Sequence, residues 1–580
     1  MSSNITPSES TRSHREVLTA LSGLLLGMFV SMLASTVVSS SLPVIIHDLG
    51  GDQAAYTWVV TATLLTTAIS TPIWGKLSDL FNRKVLFQLA ITIFVLATAV
   101  AGLSQDPGMM IAARAVQGLG AGGLAALSQV IMADIISPRE RGKYMGLFGA
   151  VMAVSTVGGP LLGGVITDTI NWRWNFYISL PFAIIALIVV QKALHLPKHP
   201  KKQTRIDYFG IVLLSTAVAL LLIWVTNAGT TTVDGQGHDL AWGDLGNNDW
   251  WSLLTVLMVG GGLLAAIIFV VVELKSKEPL IPLTLFRDRT FTLSVVASIS
   301  TGIAMFGSSV FLSQYMQLSR GATPTQAGLM TIPMIGGLLL SSIIVGALIT
   351  RFGKWKGYLI VGGVFLIAGS YTLSTIHYDT NFALVSVYMF LLGAGVGMTM
   401  QNLVLVVQNT TAPSQIGVAS SGVTFFRSLG GTIGVSVMGA ALAAKVTDLM
   451  GSDSILAKMQ AAIMSLGEEG AAVAKQLQSG SLPEVSKLPE AVRVIVEDVY
   501  AQGISHSFLI AVPFAVISLI AIIFLPNVPL TRMTTSERRQ ATEADFATVS
   551  TSEGMSVLTA TGGVPVVGEP ADEARDGNEK

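Results

Sequence analysis

Of 580 residues, 51% are hydrophobic and 12% are charged, with a mean hydropathy of +0.65 and a formal net charge of −1. Soluble chains carry roughly 25% charged residues, so this composition excludes a soluble multidomain protein and implies one dissolved in lipid. Zero cysteine excludes disulfides, thiolate metal sites and a cysteine nucleophile.

Residues 1–17 are polar and Ser/Thr-rich, without the apolar region and cleavage site of a signal peptide, and predict a retained tail. Apolar runs of about 20 residues then recur, and because open sheets cannot cross lipid they are predicted as helices. Seven spans are expected near 18–45, 55–75, 84–104, 109–133, 142–167, 173–193 and 206–227. Seven more are expected near 250–273, 290–317, 325–350, 356–376, 382–409, 416–445 and 505–526. An even count puts both termini on one side. Eighteen Lys and Arg, including Lys76, Arg83, Lys84 and Arg351, fall in loops on that side, against only Arg173 and Arg320 in the opposite short loops. Basic loops stay cytoplasmic, so both termini are expected there.

The chain repeats itself. Gly75, Leu77, Phe81 and Arg83 return as Gly346, Leu348, Phe352 and Lys354, an offset of 271. Gly118, Gly120 and Gly122 return as Gly393, Gly395 and Gly397, an offset of 275. Two six-helix halves fit those offsets if two further spans lie between them. The expected organisation is therefore a bundle at 18–195, two inserted helices at 196–280, and a second bundle at 281–526 carrying an external loop at 446–503 with helix-like patches such as 491–500. The polar stretch 527–580 is expected to be a disordered tail.

Certain residues break the apolar pattern. Gly75, Asp79, Arg83 and Lys84 lie in a tight link between the second and third spans, where a carboxylate and two cations can cap helix ends and form a breakable ion pair. Arg114, followed by Gln117, lies inside the fourth span. A cation there costs about 2.5–3.5 kcal/mol on insertion scales, so it is expected to face the protein interior and a partner. Asp134, at the end of that span, could be a helix-end partner of Arg139 or Arg141. Gly159, Pro160, Gly163 and Gly164 in the fifth span combine a kink with bare backbone for a neighbouring helix. Arg427 is a deep charge in the thirteenth span, readable as a gate or as a structural pair.

The link Gly-x-Leu-Ser-Asp-x-x-x-Arg-Lys from Gly75 to Lys84 resembles the loop between the second and third helices of the major facilitator superfamily, with Asn82 where Gly is usual. The Arg114–Gly122 motif resembles the superfamily's proton-linked fourth-helix motif, the glycines around Pro160 resemble the antiporter motif of its exporters, and Asp168 to Phe176 resembles its fourteen-helix drug:proton antiporters. The resemblance implies an all-α membrane fold of two six-helix bundles plus two inserted helices. It assigns Asp79, Arg83 and Lys84 to a cytoplasmic gate and Arg114 and Gln117 to proton coupling. It also places Trp58, Phe306, Phe311, Gln314, Met398, Gln401 and Asn402, with Arg427, on spans lining a central cavity. Met and aromatic walls suit adaptable apolar ligands. One position departs: Ala34 stands where many relatives have a first-helix Asp, so Asp134 and Asp79 are the substitutes for a proton carrier.

The sequence contains no phosphate-binding loop and no clustered nucleophile, which argues against an ATP-driven pump and an enzyme. The expected function is export of small hydrophobic or cationic compounds by alternating access, driven by protons, from a monomer in a bacterial plasma membrane. No cofactor, metal or nucleic acid is expected. The alternatives are an exporter of one endogenous lipid or metabolite, and a non-transporting membrane scaffold or sensor.

Overall fold

The computed structural model describes residues 14–50, 53–136, parts of 144–194, 207–227, 251–276, 279–322, 324–467 and 488–531, with isolated positions besides. Pro160, Arg139, Arg141, Asp168 and nearly all of both predicted tails lie outside the described residues.

The first half holds α1 (His14–Asp48), α2 (Gln53–Leu80), α3 (Arg83–Gly102), α4 (Pro107–Ile135) and α5 (Trp174–Ala193). Every described position between Tyr144 and Thr169, in the predicted fifth span, is also helical. Two helices follow, α6 (Tyr208–Asn227) and α7 (Leu253–Lys275). The second half holds α8 (Arg289–Ser319, its last turn a π-helix), α9 (Ile332–Phe352), α10 (Lys356–Leu373) and α11 (Phe382–Thr410). It continues with α12 (Ile416–Met450), α13 (Asp453–Ser465) and α14 (Glu490–Phe524). Among the described residues, 11 helices are long and apolar enough to cross a membrane, and α6 contributes a shorter apolar stretch, Tyr208–Trp224.

Capping residues set several boundaries. Asp106 accepts from Met109 N at 2.9 Å and starts α4, with Pro107 at its first turn. Asn82 accepts from Lys84 N at 3.0 Å and starts α3 without a glycine. Gly353, at φ 68°, closes α9 in the left-handed region.

The internal repeat is visible in packing. Gly118 and Gly122 meet the backbone of α2 while Gly120 meets α3; Gly393 and Gly397 meet α9 while Gly395 meets α10. Bare backbone at three alternate positions, about one helical turn, lets one helix press on two neighbours, and lipid supplies no hydrophobic force to do so otherwise. Separate cores fill the halves, around Phe87, Leu127 and Val190 in the first and around Leu392, Ile504 and Phe508 in the second. The inserted α6 lies against both α2 and α12, through Leu214, Val218 and Leu222 with Leu65 and Phe425.

The stretch expected as an external loop is partly helical. α12 runs on to Met450, and α14 begins at Glu490, where 505 was expected. Val492 and Val496 pack with Leu318, Ala462 and Leu488. Their four-residue spacing gives the extended helix an apolar stripe to bury, which its acidic and basic residues hide from a hydropathy window.

Candidate functional site

The Asp79 link sits where α2 meets the start of α12, and so joins the two halves. Asp79 Oδ1 accepts from Arg83 Nη2 at 3.1 Å. Its Oδ2 accepts from the backbone N–H of Val418, at 3.1 Å, in the first turn of α12. The carboxylate thus caps the other half's helix and meets the positive end of its dipole. Gly75 makes this approach possible, because a Cβ there would fall on Ser421 Oγ and Cβ.

Arg83 is the centre of a buried cluster. Its Nε donates to Ser78 O at 2.8 Å, Nη2 to Asp79, and Nη1 pairs with Asp134 at the end of α4. Two carboxylates around one fully buried guanidinium compensate a charge that would otherwise be prohibitive. Lys84 points elsewhere, donating to Gln191 O at 2.7 Å on α5. It ties the first half to itself and does not reach the second.

A further seam between the halves was not read from sequence. Gln129 of α4 donates to Gln401 of α11 at 3.0 Å. Gln408 donates to Gln129 O at 3.3 Å and to Ser420 Oγ at 2.8 Å. Amide side chains inside apolar spans were the available signal, since lipid leaves them no other partner. These bonds and the Asp79–Val418 bond all lie at the Asp79 end of the bundle.

Arg114, by contrast, stays within the first half. Its Nη1 donates to Gln117 Oε1 at 2.6 Å and Nε to Val59 O at 3.4 Å, while Gln117 donates to Thr98 Oγ1 at 2.7 Å. Asp134 is 20 residues further along α4, roughly 30 Å by helix rise. The residues expected to couple protons therefore form two separate groups. In the fifth span, Gly159 opens its bare face to Thr36, whose hydroxyl donates to Ser155 O at 2.8 Å. Gly163 O accepts from Ser41 at 3.1 Å, and Gly164 is half-buried.

Residues 24–435 match the family described as Major Facilitator Superfamily. The chain belongs to the Major Facilitator Superfamily. It is 33% identical over 445 residues to the multidrug transporter protein MdtP of Bacillus subtilis, covering 76% of this chain and 78% of that one. It is 34% identical over 510 residues to an uncharacterised MFS-type transporter of Mycobacterium tuberculosis, covering 88% of this chain and 69% of that one. Among solved structures it resembles the human organic anion transporter MFSD10, at TM-score 0.56 and 14% identity, covering 88% of this chain and 99% of that one. It also resembles the proton:xylose symporter XylE, at TM-score 0.54 and 13% identity, covering 91% and 99%. The protein is thus a membrane transporter of the major facilitator fold, not an enzyme.

Within this fold the residues expected to line a cavity make the following contacts. Phe311 is buried in the second half's core beside Tyr315 and Met438. Met398 packs against Gly362 of α10, and Asn402 bonds Met398 O at 2.7 Å within its own helix. Gln401 belongs to the seam. Phe306 lies over Gly431, Trp58 and Gln314 are half-buried, and Arg427 donates to Met400 O at 3.2 Å. Ala34 is 1% exposed in the first half's core.

Proposed function

We propose that this facilitator-superfamily transporter exports amphipathic, hydrophobic compounds across the plasma membrane of a bacterium by alternating access, in antiport with protons. The observation that carries the reading is the position of the seam. The hydrogen bonds Gln129–Gln401, Gln408–Gln129 and Val418–Asp79, which join the halves, lie at the Asp79 end. Halves joined by a breakable seam at that end form a two-state element of the kind alternating access requires. The excess of Lys and Arg in the loops on that side supports a cytoplasmic position for the closed end. Relatives bearing the names multidrug transporter and efflux pump support export.

Coupling would act through the Asp79–Arg83–Asp134 cluster. A proton on Asp79 removes the anionic acceptor of Val418 N, and one on Asp134 leaves Arg83 to compete for Asp79. Either loosens the seam. The test is efflux of the neutral amphipath Nile red from proteoliposomes with an imposed pH gradient. Gradient-dependent efflux that is lost in Asp79→Asn is the expected result, and no movement under any gradient would sink the reading.

A further inference from the structure

We infer that Arg427 is an anion-binding group in the transport pathway, so that the favoured cargo is an amphipathic carboxylate or sulfonate. This rests on the export reading and deepens it.

The buried charged side chains among the described residues are Lys76, Arg83, Arg114, Asp134, Glu273 and Arg427. Asp134 is committed to Arg83 at the closed end. Glu273, on α7, accepts from Leu280 N at 3.1 Å and Ile281 N at 3.3 Å, and its charge faces Lys76. That leaves two guanidiniums, Arg114 and Arg427, which form no ion pair with a carboxylate among the described residues. The interior of the halves, as far as it is described, is cationic.

Arg114 spends two of its nitrogens inside its own half. Arg427 is different, because its one acceptor is Met400 O and its Nε and Nη2 carry no bond. The residue is 6% exposed. The guanidinium is also at the seam. The residue after Met400 is Gln401, whose side chain reaches Gln129 of the other half at 3.0 Å. Along α12, Arg427 lies nine residues inward of Val418, roughly 14 Å past the closure. A planar fork with free N–H groups matches a carboxylate or sulfonate bidentately. A helix-to-helix tie to one carbonyl would need neither the charge nor the fork.

A cell interior is negative, so the membrane potential opposes export of a cation and assists export of an anion, by about 50-fold per 100 mV for a single charge.

The full chain in proteoliposomes is assayed with a valinomycin-imposed potential, with and without a pH gradient, and three probes. These are 8-anilinonaphthalene-1-sulfonate, the neutral N-phenyl-1-naphthylamine, which lacks the sulfonate, and the cation ethidium. The expected result is potential-dependent transport of the sulfonate at least tenfold above the other two. Arg427→Gln is expected to cut the sulfonate-to-neutral ratio about tenfold, with Arg427→Lys recovering part of it. A ratio is read because misfolding alone would not change it; if Arg427→Gln does not fold, the wild-type preference decides. Preference for ethidium, or a ratio unmoved in Arg427→Gln, overturns the anion inference and leaves export standing. If none of the three probes moves, the export reading falls first and this inference with it.

Discussion

Gly75→Ala tests the closed seam with one methyl group. The added Cβ would meet both Oγ and Cβ of Ser421, with Gly417 O at 3.1 Å behind them. Rotating the serine removes the hydroxyl contact but not the Cβ contact, so α2 and α12 must part. Carbon atoms settle at about 3.5–4.0 Å, which requires a shift of about 1 Å or more. The 3.1 Å bond from Val418 N to Asp79 cannot stretch that far and survive. A hydrogen bond to a charged group contributes about 1.5–3 kcal/mol, and every 1.4 kcal/mol is tenfold. The open population should therefore rise about 10- to 100-fold. The chain has no cysteine, so Thr424→Cys, at a position 5% exposed, supplies a single thiol. Its maleimide labelling should quicken at least about tenfold when Gly75→Ala is added. Gly357→Ala, whose Cβ would meet nothing within 4 Å, should leave the rate unchanged. Equal labelling rates in all three backgrounds would show that this contact does not hold the halves together.

Asp134→Asn leaves the Arg83 guanidinium with Asp79 as its one carboxylate and should cost about 3 kcal/mol, read as a fall in the unfolding temperature in detergent; an unchanged midpoint would contradict the cluster. Gln129→Ala removes the bond to Gln401 and should weaken closure by about 1 kcal/mol, quickening Thr424→Cys labelling about fivefold. Trp172→Phe loses the 3.0 Å bond to Asp48 and weakens the stacking of Arg173, 4.2 Å from the indole. It should cost about 1–2 kcal/mol of stability and leave Thr424→Cys labelling untouched, because it acts at the opposite end. Ala34→Asp would bury an unpartnered carboxyl in the first half's core and should lower stability by about 2 kcal/mol or more; a gain in proton-driven transport at unchanged stability would refute that placement.

Helix positions were legible because hydropathy registers the lipid directly: a run of apolar residues has one stable fate in a bilayer. The repeat was legible because each glycine marks a helix crossing, and crossings recur when bundles do. The extension of α14 back to Glu490 was legible as a helix-like patch at 491–500 but not as part of the final span, because Glu490, Arg493, Glu497 and Asp498 interrupt its hydropathy. The gate was half legible. Asp79 and Arg83 are four residues apart in sequence, but the partners that give them meaning, Val418 and Asp134, are 339 and 51 positions away.

The sequence by itself determined the class of protein, the order of its helices and the two-fold repeat, since all three follow from local composition and short-range pattern. Only the tertiary structure decided what each polar residue does. It drew Lys84 to α5, withdrew Phe311 into the core, and joined Gln129 to Gln401 across 272 residues. In lipid a polar side chain must find its partner within the protein, and which partner lies within 3 Å depends on how helices pack, which no run of neighbouring residues specifies.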